Sequence, residues 1–262
     1  MRNKIFLILS LLLLTSCATD IDYHVPLNRF DSPETKGKFL KGETGLNFGS
    51  SHKIVTAEVV ETIFPSIFDA TVDKDTEISR SHHLNSSVAL GLLERLDFSF
   101  QNYGDGPNVV GLKFQFLGKP EIETKSGFKG ALKLSYGAMD EEEGTLTVNL
   151  AGSGTRTYSG DIDVDVYEAS LILGYRINPY VITYVNSLYS YHETQSTLTS
   201  NTFPTIVING VVRTYGGLAG IRIGKPENHF FIKLETGYMK TKFEQHLSEN
   251  TIPIGIAGDF TW

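Results

Sequence analysis

The chain has 262 residues, 40% of them hydrophobic, with 16 Phe, 12 Tyr, 25 Gly, one Cys and a net charge of -7. The apolar and aromatic content excludes a disordered chain. A single cysteine excludes an intrachain disulfide framework and a cysteine-rich zinc site, and an acidic balance without a basic block argues against nucleic acid as a partner.

The most specific signal comes first in the chain. Arg2 and Lys4 precede an apolar run from Ile5 to Leu14 that only Ser10 interrupts. Such a run is too short for a membrane-spanning helix and has the length of a signal-peptide core. Leu14-Thr15-Ser16-Cys17 resembles the bacterial lipobox. The resemblance implies cleavage after residue 16, acylation of Cys17 and, because Ala18 follows, passage to the outer membrane of a Gram-negative envelope. Ordinary signal cleavage after Ala18 is the alternative, since Ser16-x-Ala18 also fits a small-x-small site. The domain reading is therefore a lipoprotein signal peptide over 1–16, a flexible tether over 17–38 with Pro26, Pro33 and Gly37, and a folded unit over 39–262.

From residue 39 onward, apolar and polar residues alternate between turn signals, which is the strand pattern. Ten strands are predicted, at about 39–49, 83–93, 95–103, 108–117, 127–139, 162–177, 180–193, 205–224, 229–243 and 252–262. Eight is the alternative count. The 54–69 stretch is ambiguous because Pro65 interrupts it. Aromatic residues near both ends of the apolar faces, such as Tyr167 and Tyr175, suit the two interfacial girdles of a membrane barrel. Connections alternate in length: Glu94-Arg95, Asn178-Pro179 and 225–228 are tight and 118–126 is moderate, whereas 50–82, 140–161 and 194–204 are long. Two connections on the long side, 104–107 and 244–251, are short as well. Outer-membrane barrels have short periplasmic turns and longer outer loops. With a lipidated N-terminus in the periplasm, strand one runs outward and the tenth returns the C-terminus to the periplasm.

The last strand, Ile254-Gly-Ile256-Ala-Gly258-Asp-Phe260-Thr-Trp262, resembles the terminal strand recognised by the barrel assembly machinery, with Phe260 and Trp262 as the signal. Leu90-Gly-Leu92-Leu-Glu94-Arg-Leu96-Asp-Phe98 likewise resembles a strand-turn-strand of small OmpA/OmpW-like outer-membrane barrels. The resemblance covers about 39–262. It implies an all-β, antiparallel up-and-down transmembrane barrel whose partners are outer-membrane lipids, the assembly machinery and an extracellular ligand at the loops.

If apolar faces meet lipid, the opposite faces line a lumen holding Lys41, Glu43, Asp97, Lys113, Lys129, Lys133, Glu168, Arg176, Arg222, Lys233, Glu235 and Asp259. Ten strands lie close to the eight-strand limit at which side chains fill a barrel, and unpaired buried charges are costly. The expectation is an ion-pair network across adjacent strands that plugs the lumen. The competing readings are a narrow, weakly anion-preferring pore and a soluble β-rich surface lipoprotein.

Catalytic signals are weak. His24, His52, His82, His83, His192, His229 and His246 show no metal-ligand spacing, so neither metal nor cofactor is expected. His192, Glu193, Asp161, Asp163 and Asp165 are rim candidates for acid and histidine chemistry. The three aspartates share the outward parity of Tyr167, so no catalytic residue is assigned and the chain is read as a non-enzyme. The acidic run 140–143 reads as a solvated loop apex, and the 152–155 and 160 glycine cluster as loop punctuation.

Overall fold

Period-two alternation puts successive side chains on opposite faces of a strand, and here it closes a sheet on itself. The computed structural model describes residues 17–61, 70–73, 77–123, 125–150, 154–201, 204–225, 229–244 and 247–262. The signal-peptide reading of 1–16, residues 62–69 of the ambiguous stretch and His246 lie outside them.

The strands are β1 (Cys17–Pro26), β2 (Gly42–Glu61), β3 (Ala70–Asp73), β4 (Glu77–Leu93), β5 (Leu96–Asn102), β6 (Asn108–Leu117), β7 (Gly127–Leu150), β8 (Gly154–Asn178), β9 (Val181–Ser200), β10 (Ile206–Lys225), β11 (Phe230–Phe243), β12 (Leu247–Thr251) and β13 (Ile254–Thr261). Ten of them form an antiparallel ring. The sheet order runs β2-β13-β11-β10-β9-β8-β7-β6-β5-β4, and a β2–β4 pairing closes it. The closing register runs from Gly42↔Leu90 to Val55↔Glu77. Each overlaps one of the ten strands predicted from the sequence, and β2, β4, β7, β8 and β9 continue past the predicted bounds at one end of the ring. Closure removes the sheet edges within the ring, whereas beyond it residues 139–150 of β7 pair with β8 alone among the described strands.

The tight turns at 94–95 and 179–180, the 118–126 connection and the C-terminus share one end of the ring, called lower here. Trp262 N donates to Gly42 O there, at 3.1 Å. The stretches read as long connections, 50–82, 140–161 and 194–204, lie at the upper end, but most of their described residues are strand that continues the hairpins upward rather than loop, the acidic run 140–143 included.

The outer face carries an apolar band. On β8 it runs from Tyr167 through Leu171, Leu173 and Tyr175 to Ile177, all exposed. Ten residue steps at roughly 3.3 Å, tilted by about 40°, give about 25 Å, the apolar height of a bilayer-spanning barrel. Tyr136, Tyr167, Tyr189, Tyr215 and Tyr238 mark the upper margin, and Phe128, Tyr175, Phe230, Phe260 and Trp262 the lower, all of them exposed.

Above the upper margin the sidedness inverts. Ile162, Val164 and Val166 of β8 turn inward and are buried, whereas Asp161, Asp163 and Asp165 face out. The inward residues join Ile21, Tyr23, Val25, Ile54, Tyr158, Leu198, Val212 and Phe243 in one apolar core. The solvent outside changes from lipid to water at this level, so the favourable face reverses.

One expectation fails. Residues 17–38 are not a tether. β1 pairs with the upper half of β2, from Pro26↔Ser51 to Cys17↔Glu61. Residues 27–36 then descend through the lumen, nearly all of them buried, and Leu40 N reaches Gly91 O at the lower end, 2.9 Å away. The segment's polar composition suits a polar lumen as well as it suits water. The N-terminal residue of β1 therefore sits at the end opposite Trp262, not beside it as the periplasmic starting point assumed.

Candidate functional site in the barrel lumen

The inward face of the ring supplies charges at alternate positions, and the descending segment supplies their partners. Ten of the twelve predicted lumen groups are buried: Asp97, Lys113, Lys129, Lys133, Glu168, Arg176, Arg222, Lys233, Glu235 and Asp259. Glu43 is ion-paired among them with its side chain 12% exposed. Lys41 is the exception. It lies half-buried at the lower mouth and makes no ion pair among the described residues, because its strand has only begun to enter the ring there.

The pairing differs from the cross-strand network expected. Two wall pairs do join neighbours in that way, Lys233–Asp259 at 2.7 Å and Lys113–Asp97 at 3.3 Å. Arg222 and Lys233 also cross the lumen to Glu43 of β2, and several others run from wall to inner segment. Glu34 receives Arg176 through two nitrogens, one at 2.7 Å, and Lys129 at 3.2 Å. Asp31 holds Lys133 at 2.9 Å. Arg29 binds Glu168 at 2.5 Å, and its guanidinium lies 5.7 Å from the Tyr103 ring centroid.

Glu235 meets no cation among the described residues. Its carboxylate accepts the backbone N–H of Arg29 at 2.8 Å and of Phe30 at 3.1 Å, with Asn28 Nδ2 at 3.3 Å. It satisfies donors that an irregular buried segment would otherwise leave open. Phe30 has φ +54°, a conformation costly for a bulky residue unless its surroundings fix it. The carboxylate on its N–H supplies that constraint. Gln115 Oε1 accepts the Thr35 N–H at 2.8 Å, and both Asp97 oxygens accept the Lys36 N–H.

The lower mouth closes through a separate element. Glu121–Glu123 form a short 3-10 turn between β6 and β7, and Glu121 is buried. Its N–H donates to Thr35 O at 2.9 Å. Lys36 bridges Glu43 and Glu121 at 2.5 and 2.8 Å. Arg222 bridges the same two carboxylates at 2.9 and 2.8 Å, and Lys233 adds a bond to Glu43 at 2.9 Å. Gly37, at φ +76°, turns the chain beneath this cluster; a Cβ there would lie 2.7 Å from Pro120.

Sequence reasoning missed Arg29, Asp31, Glu34, Lys36 and Glu121. One signal was available. Glycines inside ring strands weaken them and often mark close approach of another backbone or ligand. A Cβ on Gly255 would lie 2.5 Å from the Phe30 ring.

The rim candidates do not converge. His192 is buried inside, its Nε2 2.8 Å from Ser190 Oγ and its ring 5.9 Å from that of Tyr23. The acids lie on the outer face, where Asp165 accepts the Tyr136 hydroxyl at 2.6 Å and Glu193 that of Tyr191 at 3.2 Å. The wall separates them. Among the described residues, no three His, Cys, Asp or Glu side chains are grouped so as to hold a metal ion.

The ring, its apolar band and its charged, chain-filled interior define a membrane-spanning antiparallel β-barrel. No protein-family model and no curated protein sequence matches the chain. Among solved structures it is similar to Ail, the attachment invasion locus protein of Yersinia pestis. That match has 14% identity and a TM-score of 0.31, over 86% of this chain and 100% of that one. It is also similar to the outer membrane channel DcaP of Acinetobacter baumannii, with 10% identity and a TM-score of 0.20, over 87% and 99%. At these values neither match transfers a role.

Proposed function

We propose that the chain is an outer-membrane barrel lipoprotein, acylated at Cys17, with an occluded lumen and a structural, adhesive or surface-binding role. The observation that carries the reading is the course of residues 27–36. They occupy the lumen, and their Arg29, Asp31, Glu34 and Lys36 side chains each pair with the wall or with the Glu121 turn. A ten-strand ring has little room beyond its own side chains, and this one also holds a strand of chain. The upper extension supports a binding role over transport. β7 and β8 pair up to Leu150↔Gly154, about 40 Å of strand beyond Tyr167 at roughly 3.3 Å per residue. Below the tip of that hairpin Asp161, Asp163 and Asp165 face outward over the apolar core, which suits a surface platform.

Planar-bilayer recording tests occlusion. The wild-type protein is expected to show no steady conductance. A variant with residues 29–36 replaced by a Gly-Ser repeat is expected to show discrete channel steps. Steady wild-type conductance would overturn the reading and promote a narrow pore. Label from clickable palmitate, lost in Cys17→Ala, tests acylation.

A further inference from the structure

We infer that the mature chain threads its own barrel and displays its N-terminal strand on the cell surface, so that the acyl group of Cys17 is carried on the outer side. The second half rests on the acylation proposed above; the first does not.

Three observations fix the direction of the thread. β2 leaves the lower end beside Trp262, and β1 pairs with its upper half, ending at Cys17↔Glu61. Ile21, Tyr23 and Val25 of β1 are buried in the upper apolar core, so β1 is an integral part of that end. Lys38 and Leu40 emerge exposed at the lower end. The short turns and the C-terminus also lie there, which is the periplasmic side of an outer-membrane barrel. The chain thus enters from outside and leaves toward the periplasm before the first ring strand begins.

Such a thread does not require passage through a closed ring. β2 and β13 are the first and last ring strands, and they pair over only Glu43–Phe48 and Ile256–Thr261. Pairing them last closes the ring around a segment already in place. The segment's charges, Arg29 and Lys36 against Asp31 and Glu34, sum to zero. Each meets its partner inside the barrel rather than in lipid, so no unpaired charge is held at membrane depth.

Labelling of introduced cysteines with a membrane-impermeant maleimide, each read as the increase over the wild-type protein with Cys17 alone, tests the display. Asp20→Cys on β1 is expected to label on intact cells, and Lys38→Cys only after the outer membrane is permeabilised. A heat-modifiable gel band for each variant confirms that it has folded. Label on Lys38→Cys in intact cells, or on Asp20→Cys only after permeabilisation, would overturn the display. Wild-type Cys17 separates the two halves. No thiol label together with palmitate incorporation supports the outer acyl group when Asp20→Cys labels on intact cells. A maleimide-reactive wild-type Cys17 on intact cells supports the display and overturns the acylation.

Discussion

Glu34 shows why the interior is intolerant of single changes. Its carboxylate answers two buried cations, Arg176 and Lys129, and its side chain is fully enclosed. Removing it leaves both buried cations without a carboxylate, with the carbonyls of Lys119 and Pro179 as their remaining acceptors, a situation that costs about 3–5 kcal/mol. Glu34→Ala is therefore expected to lower the unfolding midpoint in denaturant by that order. Glu123, partly exposed in the lower turn between the exposed Lys119 and Lys125 at 3.2 Å each, is the control. Exposed pairs gain little over solvation, so Glu123→Ala should leave the midpoint nearly unchanged. Gly255 offers a steric version of the same test. A valine there pushes into the Phe30 ring, displacing the turn that Glu235 holds, and should destabilise without altering any charge. An unchanged midpoint for Gly255→Val would show that the inner segment is not packed against β13.

At the scale of the strand, β8 carries two opposite patterns in one sequence. Leu171 and Leu173 face lipid, whereas Ile162 and Val164 face the upper core. A charge on the lipid face near the bilayer centre costs about 2–4 kcal/mol. Leu171→Lys should therefore reduce membrane-inserted, heat-modifiable protein. Ile162→Lys buries a charge among Tyr23, Val25 and Val212 with no partner. It should loosen the upper extension, read as protease cleavage of the long hairpins on intact cells, while the membrane band stays folded. Equal effects of the two substitutions on insertion would show that the inversion of sidedness is wrongly placed.

The whole molecule is a filled tube whose contents are part of its own chain. Its lower half is held by ion pairs that are almost wholly buried, such as Arg222 with Glu121 and Lys36 with Glu121, side chains 8% exposed or less. Mobile ions screen buried pairs far less than surface pairs. Unfolding midpoints are therefore expected to change little between 0.05 and about 1 M salt. A steep loss of stability with salt would mean that water and ions enter the lumen. Carbonate extraction should leave the protein in the membrane, and unboiled samples should migrate differently from boiled ones on gels.

Period two and the choice of residue at each period were enough to place the ten ring strands, because lipid on one side and a polar lumen on the other leave a signature along the strands. The same rule put Asp97, Lys113, Lys129, Lys133 and Glu235 inside and Asp161, Asp163 and Asp165 outside. It could not assign partners. Which carboxylate meets Arg176 depends on what fills the ring, and Glu34 lies 142 residues away. Nor could composition tell residues 27–36 from a solvated linker. A segment with Pro33, Asp31, Glu34 and Lys36 is equally at home in water and in a polar lumen that supplies opposite charges and backbone acceptors at the right places. That lumen exists only once the ring closes. The thread, the inward-folded Glu121 turn and the end of the barrel reached by Cys17 were therefore decided by tertiary structure alone.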